Sequence, residues 1–221
     1  MEVWKSYLAE LLGTFILVFV GTGSVVTALF IGEGLTVQGI LLIALTFGLT
    51  LTVIIYSLGH VSGAHVNPAV TIAVSLAGKL KARHVIPYIA MQLLGAVIAS
   101  FFILVMVGVT PYGIGQNVTG AFGIKSALLA ETILTMLFVL VILKTANSNH
   151  GALAIGFFLV VSHLFAIPIS GSSLNPARSF GPAVVIGGQA LNQLWIYIIA
   201  PIFGAILGAV IYLLIFDEGI N

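Results

Sequence analysis

The chain contains no cysteine and very little charge: only 6% of its 221 residues are Asp, Glu, Lys or Arg. Without cysteine there can be no disulfide, no iron–sulfur cluster and no thiolate zinc site. Soluble domains carry about 25% charged residues, so a chain this poor in charge cannot stay dissolved. The formal net charge is only +1 and no basic cluster is present, which gives no support to nucleic acid as a partner. No His-Glu-x-x-His and no evident catalytic dyad occur, so neither an enzyme nor a cofactor or metal site is expected. What fills the sequence instead is hydrocarbon: 60% of residues are hydrophobic and the mean hydropathy is +1.25. This is an integral membrane protein, with the lipid bilayer as its surroundings.

A helix needs about 20 apolar residues to cross the hydrocarbon core. Six stretches meet that length, at 7–30, 36–59, 85–107, 126–144, 152–169 and 194–216. The first is too long for the apolar part of a signal peptide, and no small-residue cleavage site follows it; it is expected to remain as a span. Loops rich in polar residues or glycine are expected at 78–84, 108–125 and 145–151. With the N-terminus inside, Lys5, Lys79, Lys81, Arg83 and Lys144 lie on the cytoplasmic side, and only Lys125 and Arg178 lie outside. Positive charge concentrates on the cytoplasmic side of membrane proteins, so both termini are expected there. The sixth span ends five residues before Asn221, and gating through a phosphorylated tail is not expected.

The chain repeats itself. "LAELLGTFILVFV" at 8–20 matches "LAETILTMLFVLV" at 129–141, which sets Glu10 opposite Glu131. "SGAHVNPAV" at 62–70 is echoed by "SGSSLNPAR" at 170–178, 108 residues later. "LLGAV" at 93–97 is echoed by "IFGAI" at 202–206, 109 residues later. Repeat one covers about 1–107, a loop covers 108–125, and repeat two covers about 126–221 of a single membrane domain. Each repeat holds three spans, an odd number, so the second must insert upside down relative to the first. Inverted repeats of this kind place a transport site near the bilayer midplane.

Each Asn-Pro-Ala reads as the start of a helix. Asparagine is a favoured N-cap, and proline suits the first helical position because its missing N–H would lack a partner there. Helices are therefore expected from Asn67, Pro68 and Ala69 to a stop at Gly78, and from Asn175, Pro176 and Ala177 to Gly187 and Gly188. At about eleven residues, each measures roughly 16 Å, about half the hydrocarbon thickness. Neither can span. Each must enter as extended chain and return as helix, so that the two N-termini meet. Non-helical backbone at that depth is tolerated only inside protein or along a water-filled cavity. The carbonyls of Gly63, Ala64, His65 and Val66, and of Gly171, Ser172 and Ser173, are expected to line a narrow aqueous pore.

With these motifs in view, the sequence resembles the aquaporin family, the major intrinsic proteins, of the water-selective type. "AELLGTF", "SGAHVNPAVT", the Ala-Glu at 130–131 and "SGSSLNPARS" carry the resemblance, which covers essentially the whole chain. It implies an all-α polytopic membrane protein: six transmembrane helices plus two re-entrant half-helices in an inverted repeat, assembled as a homotetramer with a pore in every subunit. It implies a selectivity constriction made by Phe47, His163, Ser172 and Arg178, which His163 is expected to narrow and to supply with a hydrogen-bond donor. Glu10 and Glu131 become scaffold residues that accept hydrogen bonds from the re-entrant loops, a role their symmetry also favours. The permeant is expected to be water, with glycerol or another small neutral solute as the alternative, and the location the cell membrane.

Several residues bear on that choice. Glycerol facilitators of the family carry Asp after the second motif's arginine and Lys four residues further on; here those places hold Ser179 and Ala183, which favours water. One departure is the absence of the span-six tryptophan common in water channels, where "WIYIIAP" offers Tyr197 and Ile198. His65 is expected to pack the first re-entrant loop; His60, His84 and His150 are expected at the cytoplasmic surface. Asn117-Val118-Thr119 is a glycosylation sequon in the expected outer loop, and a chance occurrence is the simpler reading. A coupled secondary transporter would share the inverted repeat but needs an ion or proton site, and the intramembrane acids here have a scaffold role. A non-conducting adhesive protein would show a blocked constriction or a long partner-binding tail, and neither is visible.

Overall fold

Asparagine, proline and the two Ser-Gly pairs mark where helices begin and end in the computed structural model, which describes residues 2–32 and 35–216. Repeat one supplies α1 (Val3–Ile31), α2 (Val37–Ser62), the short α3 (Pro68–Leu76) and α4 (Val85–Val107). Repeat two supplies α5 (Gly123–Thr145), α6 (Gly151–Ser170), the short α7 (Pro176–Ile186) and α8 (Gly188–Phe216). The six long helices are each apolar and long enough to cross a membrane, and each coincides with an expected span. The architecture is the all-α one read from the sequence.

Helix ends follow local chemistry. Gly63 and Gly171 close α2 and α6 with φ of 91° and 74°, a left-handed conformation that glycine adopts without a Cβ penalty. That is the physical reason for the glycine in each Ser-Gly pair. Asn67 and Asn175 cap α3 and α7: their Oδ1 atoms accept from Ala69 N at 2.9 Å and Ala177 N at 3.0 Å. The first half-helix is shorter than expected. It has nine residues, because Gly78 N bonds to Ser75 O and Lys79 N to Val74 O, each at 3.0 Å, the paired bonds of a Schellman stop. The largest boundary difference is at α8, which starts at Gly188 rather than 194. Apolar run length marks only the part of a helix that lies in hydrocarbon. The polar first turns of α8, "GQALNQ", are helical without being apolar.

Packing mirrors the repeat. The most extensive helix pairs are α1 with α4, its counterpart α5 with α8, and α2 with α6, which joins the repeats. Each half-helix also packs on a helix of the other repeat, α3 on α8 and α7 on α4. Small residues let these helices approach. A Cβ on Gly95 would strike Leu11 O, and one on the equivalent Gly204 would strike Thr132 O. Large apolar side chains such as Phe101, Val105, Phe157 and Phe203 stay exposed on the outside, as suits a lipid-facing surface, while the polar residues of the two motifs are buried in the interior.

Candidate functional site

Two buried carboxylates hold the re-entrant loops in place. Glu10, on α1, accepts from Ser62 Oγ at 2.7 Å, His65 N at 2.9 Å, Val66 N at 2.7 Å and Gln92 Nε2 at 2.7 Å. Glu131, at the equivalent place on α5, accepts from Ser170 Oγ at 2.7 Å, Ser173 N at 2.8 Å and Leu174 N at 2.7 Å. The serine of each Ser-Gly pair also accepts from the backbone two residues on, Ser62 from Ala64 N at 3.0 Å and Ser170 from Ser172 N at 3.1 Å. These bonds fix an unusual backbone. Ala64, Val66, Ser172 and Leu174 all have positive φ, between 44° and 55°, where each non-glycine residue costs about 1–2 kcal/mol. His65 packs its loop as expected, its ring 5.2 Å from that of Tyr88 and its Nδ1 3.2 Å from Thr71 Oγ1.

The two helix N-termini meet and are tied to each other. Asn67 Nδ2 donates to Leu174 O, and Asn175 Nδ2 donates to Val66 O, both at 2.8 Å. An amide nitrogen carries two N–H groups, so each asparagine keeps a second N–H for another acceptor. Both side chains line a cavity of about 450 Å³ that reaches from His60 and Asn147–Asn149 to His163 and Arg178. Gly63, Ala64, His65, Val66 and Ser173 line it too. The carbonyl of Val66, expected to face open pore, is partly engaged by Asn175. Those of Gly171 and Ser172 accept from Asn117 Nδ2 at 2.9 and 3.4 Å.

A second cavity of about 410 Å³ lies beyond, lined by Val25, Leu35, Gln116, Val118, Gly171 and others. Arg178 lines both cavities and therefore stands between them. Its Cζ lies 5.0 Å from the centroid of the Phe47 ring, which in turn lies 4.6 Å from that of His163. Arg178 Nη1 donates to Gly115 O at 3.0 Å. The residue is 2% exposed. Among the described residues the one ion pair is Lys5–Glu2, so this buried guanidinium has no carboxylate in contact. Ser172 lines neither cavity, although its neighbours Gly171 and Ser173 each line one. Arg178 Nε, His163 Nε2 and Ser172 Oγ are buried with no hydrogen-bond partner among the described residues.

The surroundings of His163 bear on the hydrogen-bond donor expected at the constriction. Its Nδ1 lies 3.1 Å from Leu159 O, and a carbonyl can only accept, so Nδ1 bears the proton. With the ring neutral, Nε2 is then an acceptor rather than a donor. The structure thus gathers Arg178, Phe47 and His163 at the partition.

The family described as "Major intrinsic protein" matches residues 1–212. This chain is a major intrinsic protein. It is 42% identical to an Aquaporin Z of Photorhabdus laumondii, covering 95% of this chain and 96% of that one. It is 38% identical to an Aquaporin Z of Rhodopseudomonas palustris, covering 97% and 94%. It is 43% identical to "Glycerol uptake facilitator protein-like 6" of Lactiplantibacillus plantarum, covering 93% and 95%. Among solved structures, an aquaglyceroporin from Plasmodium falciparum superposes with a TM-score of 0.83 at 24% identity over 95% of both chains; that likeness concerns the fold. The family is one of channels and transporters rather than enzymes.

In this major intrinsic protein several site residues escape sequence reasoning. Tyr197, a departure in the sequence, donates to Ser170 O at 2.7 Å, and Tyr88 donates to Ser62 O at 2.9 Å. The repeat offset of 109 that aligns Gly95 with Gly204 also aligns Tyr88 with Tyr197, so a signal is present. Gln92, which ties Glu10 to Thr71 Oγ1 at 2.9 Å, has no such signal, because the same offset sets Pro201 opposite it. Asn117 is 3% exposed, and its Nδ2, the atom a glycan would need, is bonded inside the protein; the sequon is not an acceptor in the folded chain. His60 lines the mouth of the first cavity, and His84 Nδ1 lies 2.9 Å from Tyr7 OH.

Proposed function

We propose that this protein is a passive water channel that excludes protons and ions, with the first cavity as its cytoplasmic half and the second as its outer mouth. The observation that carries the proposal is Arg178, a buried guanidinium without a contacting carboxylate, shared by both cavities and packed with Phe47 beside His163. Selectivity in such pores rests on diameter, lining hydrogen-bond groups and electrostatic barriers, and this partition supplies all three. A cation meets a fixed positive charge there. A water molecule can accept from Arg178 Nε and donate to His163 Nε2.

Deeper in, the two helix N-termini each carry about half a positive charge and are tied together by Asn67 and Asn175. The remaining N–H of each amide can donate to one water oxygen. That water then has its hydrogens turned away from the pair in both directions, and the proton wire is broken at its centre. No step needs energy coupling, so flow runs down the gradient.

The alternative permeant is glycerol or a similar small neutral solute, and the glycerol facilitator relative is the observation in its favour. Against it stand Ser179 and Ala183, both buried, where the family's glycerol facilitators carry Asp and Lys. Stopped-flow light scattering of proteoliposomes decides between them. Rapid shrinkage in sucrose and slow re-swelling in glycerol are expected; equal rates for both solutes would overturn water selectivity. From the family likeness and the distribution of Lys and Arg we further propose a homotetramer of the cell membrane with both termini cytoplasmic. Cysteines placed singly at Ser6 and Ser148 should react with impermeant reagents only from the cytoplasmic side, and labelling from outside would reverse the orientation.

A further inference from the structure

We propose that Asn117, in the segment between α4 and α5, is a positioning residue that sets the aperture of the constriction without touching the permeant. The inference rests on the reading of Phe47, His163, Ser172 and Arg178 as that constriction. Asn117 itself lines neither cavity, while its neighbours Gln116 and Val118 line the second.

Its side chain is fully used. Nδ2 donates to Gly171 O at 2.9 Å and to Ser172 O at 3.4 Å, and Oδ1 accepts from Ser179 Oγ at 2.8 Å. With the Ser179 hydrogen on Asn117, Ser179 Oγ accepts from Ser173 Oγ at 2.6 Å, and Ser173 Oγ accepts in turn from Asn175 N at 3.2 Å; the one hydrogen of Ser173 is shared with Asn175 O, 2.9 Å away. One buried amide therefore connects the outer turn of the second re-entrant loop to the asparagine of the second motif. Its donors fall on two consecutive left-handed residues, Gly171 at φ 74° and Ser172 at φ 48°. The second of these has a Cβ and is strained there, so it stays in place only because its surroundings hold it.

The segment carrying Asn117 is firmly seated, so the amide acts as a fixed point rather than a follower. Ile114 is fully buried in an apolar cluster with Val26 and Ile103. Gly115 is pressed against α1, where a Cβ would come within 2.6 Å of both Thr22 Cγ2 and Thr22 O, and its carbonyl holds Arg178 at 3.0 Å. On the other side Thr119 N donates to Gln193 Oε1 at 2.9 Å, and Gln193 Nε2 returns a bond to Thr119 Oγ1 at 3.2 Å. Gly115 thus fixes the arginine, and two residues later Asn117 fixes the serine wall. The distance between the two is set by one short run of backbone. Losing the amide frees the wall and leaves the arginine, so the partition widens without losing its charge.

The test uses Asn117→Ala, the isosteric Asn117→Asp and, as a milder perturbation, Ser179→Ala. Aspartate fills the same space but sets a carboxylate against two carbonyl oxygens, so it separates the hydrogen bonds from mere packing. Both Asn117 variants should raise the glycerol-to-water permeability ratio of proteoliposomes at least about fivefold, the population change that accompanies loss of one ordinary hydrogen bond. Ser179→Ala should move the ratio in the same direction by less. A second readout does not depend on conduction. The chain has no cysteine, so Ser172→Cys gives a single thiol, whose modification by a small methanethiosulfonate from the outer side should speed up by a similar factor when Asn117→Asp is added. An Asn117→Asp protein with the parent's ratio and the parent's labelling rate overturns the proposal. If the parent itself passes glycerol as readily as water, the water-selective reading fails, and the labelling rate still decides the role of Asn117.

Discussion

Replacing Glu131 by Gln changes one carboxylate oxygen to an amide nitrogen in a site that contains only donors. Ser170 Oγ and Ser173 N both point at Oε1, and Leu174 N points at Oε2. Whichever way the amide turns, an N–H faces another donor. The variant loses at least one charge-assisted bond, about 1.5–3 kcal/mol, and leaves a buried donor unpaired at about 1–3 kcal/mol. The lower ends of the two ranges come together to about 2.5 kcal/mol. Opposing it is the strain at Ser172 and Leu174, with φ of 48° and 55°, about 2–4 kcal/mol together at about 1–2 each. The restraint removed is comparable with the strain it holds, so the loop should leave its native path. Water permeability per inserted channel should fall at least about tenfold. The melting temperature should fall by about 5–10 °C on the scale of soluble domains of this size. Glu10→Gln, facing four donors instead of three, should be at least as severe. A Glu131→Gln channel that conducts at the parent's rate and melts at the parent's temperature would refute the reasoning.

Three further outcomes follow from the same geometry. His163→Gly removes the ring whose centroid lies 4.6 Å from that of Phe47 and should raise glycerol uptake severalfold while water flow persists; unchanged glycerol flux in swelling assays would take His163 out of the constriction. The parent should resist mercury(II), a soft ion that prefers thiolate; Ser172→Cys should conduct, be strongly inhibited by mercury and recover with excess thiol. Stoichiometric mercury labelling without inhibition would show that Ser172 does not border the water path. Tyr88→Phe and Tyr197→Phe each remove one hydrogen bond to an equivalent carbonyl, so each should lower the melting temperature by about 2–4 °C, and a large difference between them would break the equivalence of the two loops.

Much of the fold is legible in the sequence because it depends on local rules. Run length locates the six spans, Asn-Pro begins the half-helices, and glycine ends the helices that lead into them. The internal repeat by itself sets Glu10 and Glu131 at equivalent sites. What stays hidden depends on contacts between distant segments. Gln92 reaches Glu10 across 82 positions, and a glutamine in an apolar helix announces no partner. Asn117 resembles a surface sequon because its neighbours suggest a loop, and only tertiary packing buries it. Tyr197 looks like a deviation until its bond to Ser170 O is matched with that of Tyr88. For His163 the deciding neighbour is a backbone carbonyl one helical turn back, 3.1 Å from Nδ1, which no side-chain pattern reports.

Paired helix N-termini, the Asn67 and Asn175 amides and Arg178 are proposed to let water through while stopping protons. Both fluxes can be read in one preparation, with vesicles carrying an internal pH dye and exposed first to an osmotic step and then to a pH step. Water permeability should lie far above that of protein-free vesicles, and the pH gradient should dissipate no faster than in them. A pH gradient that collapses in proportion to the amount of channel inserted would contradict that proposal.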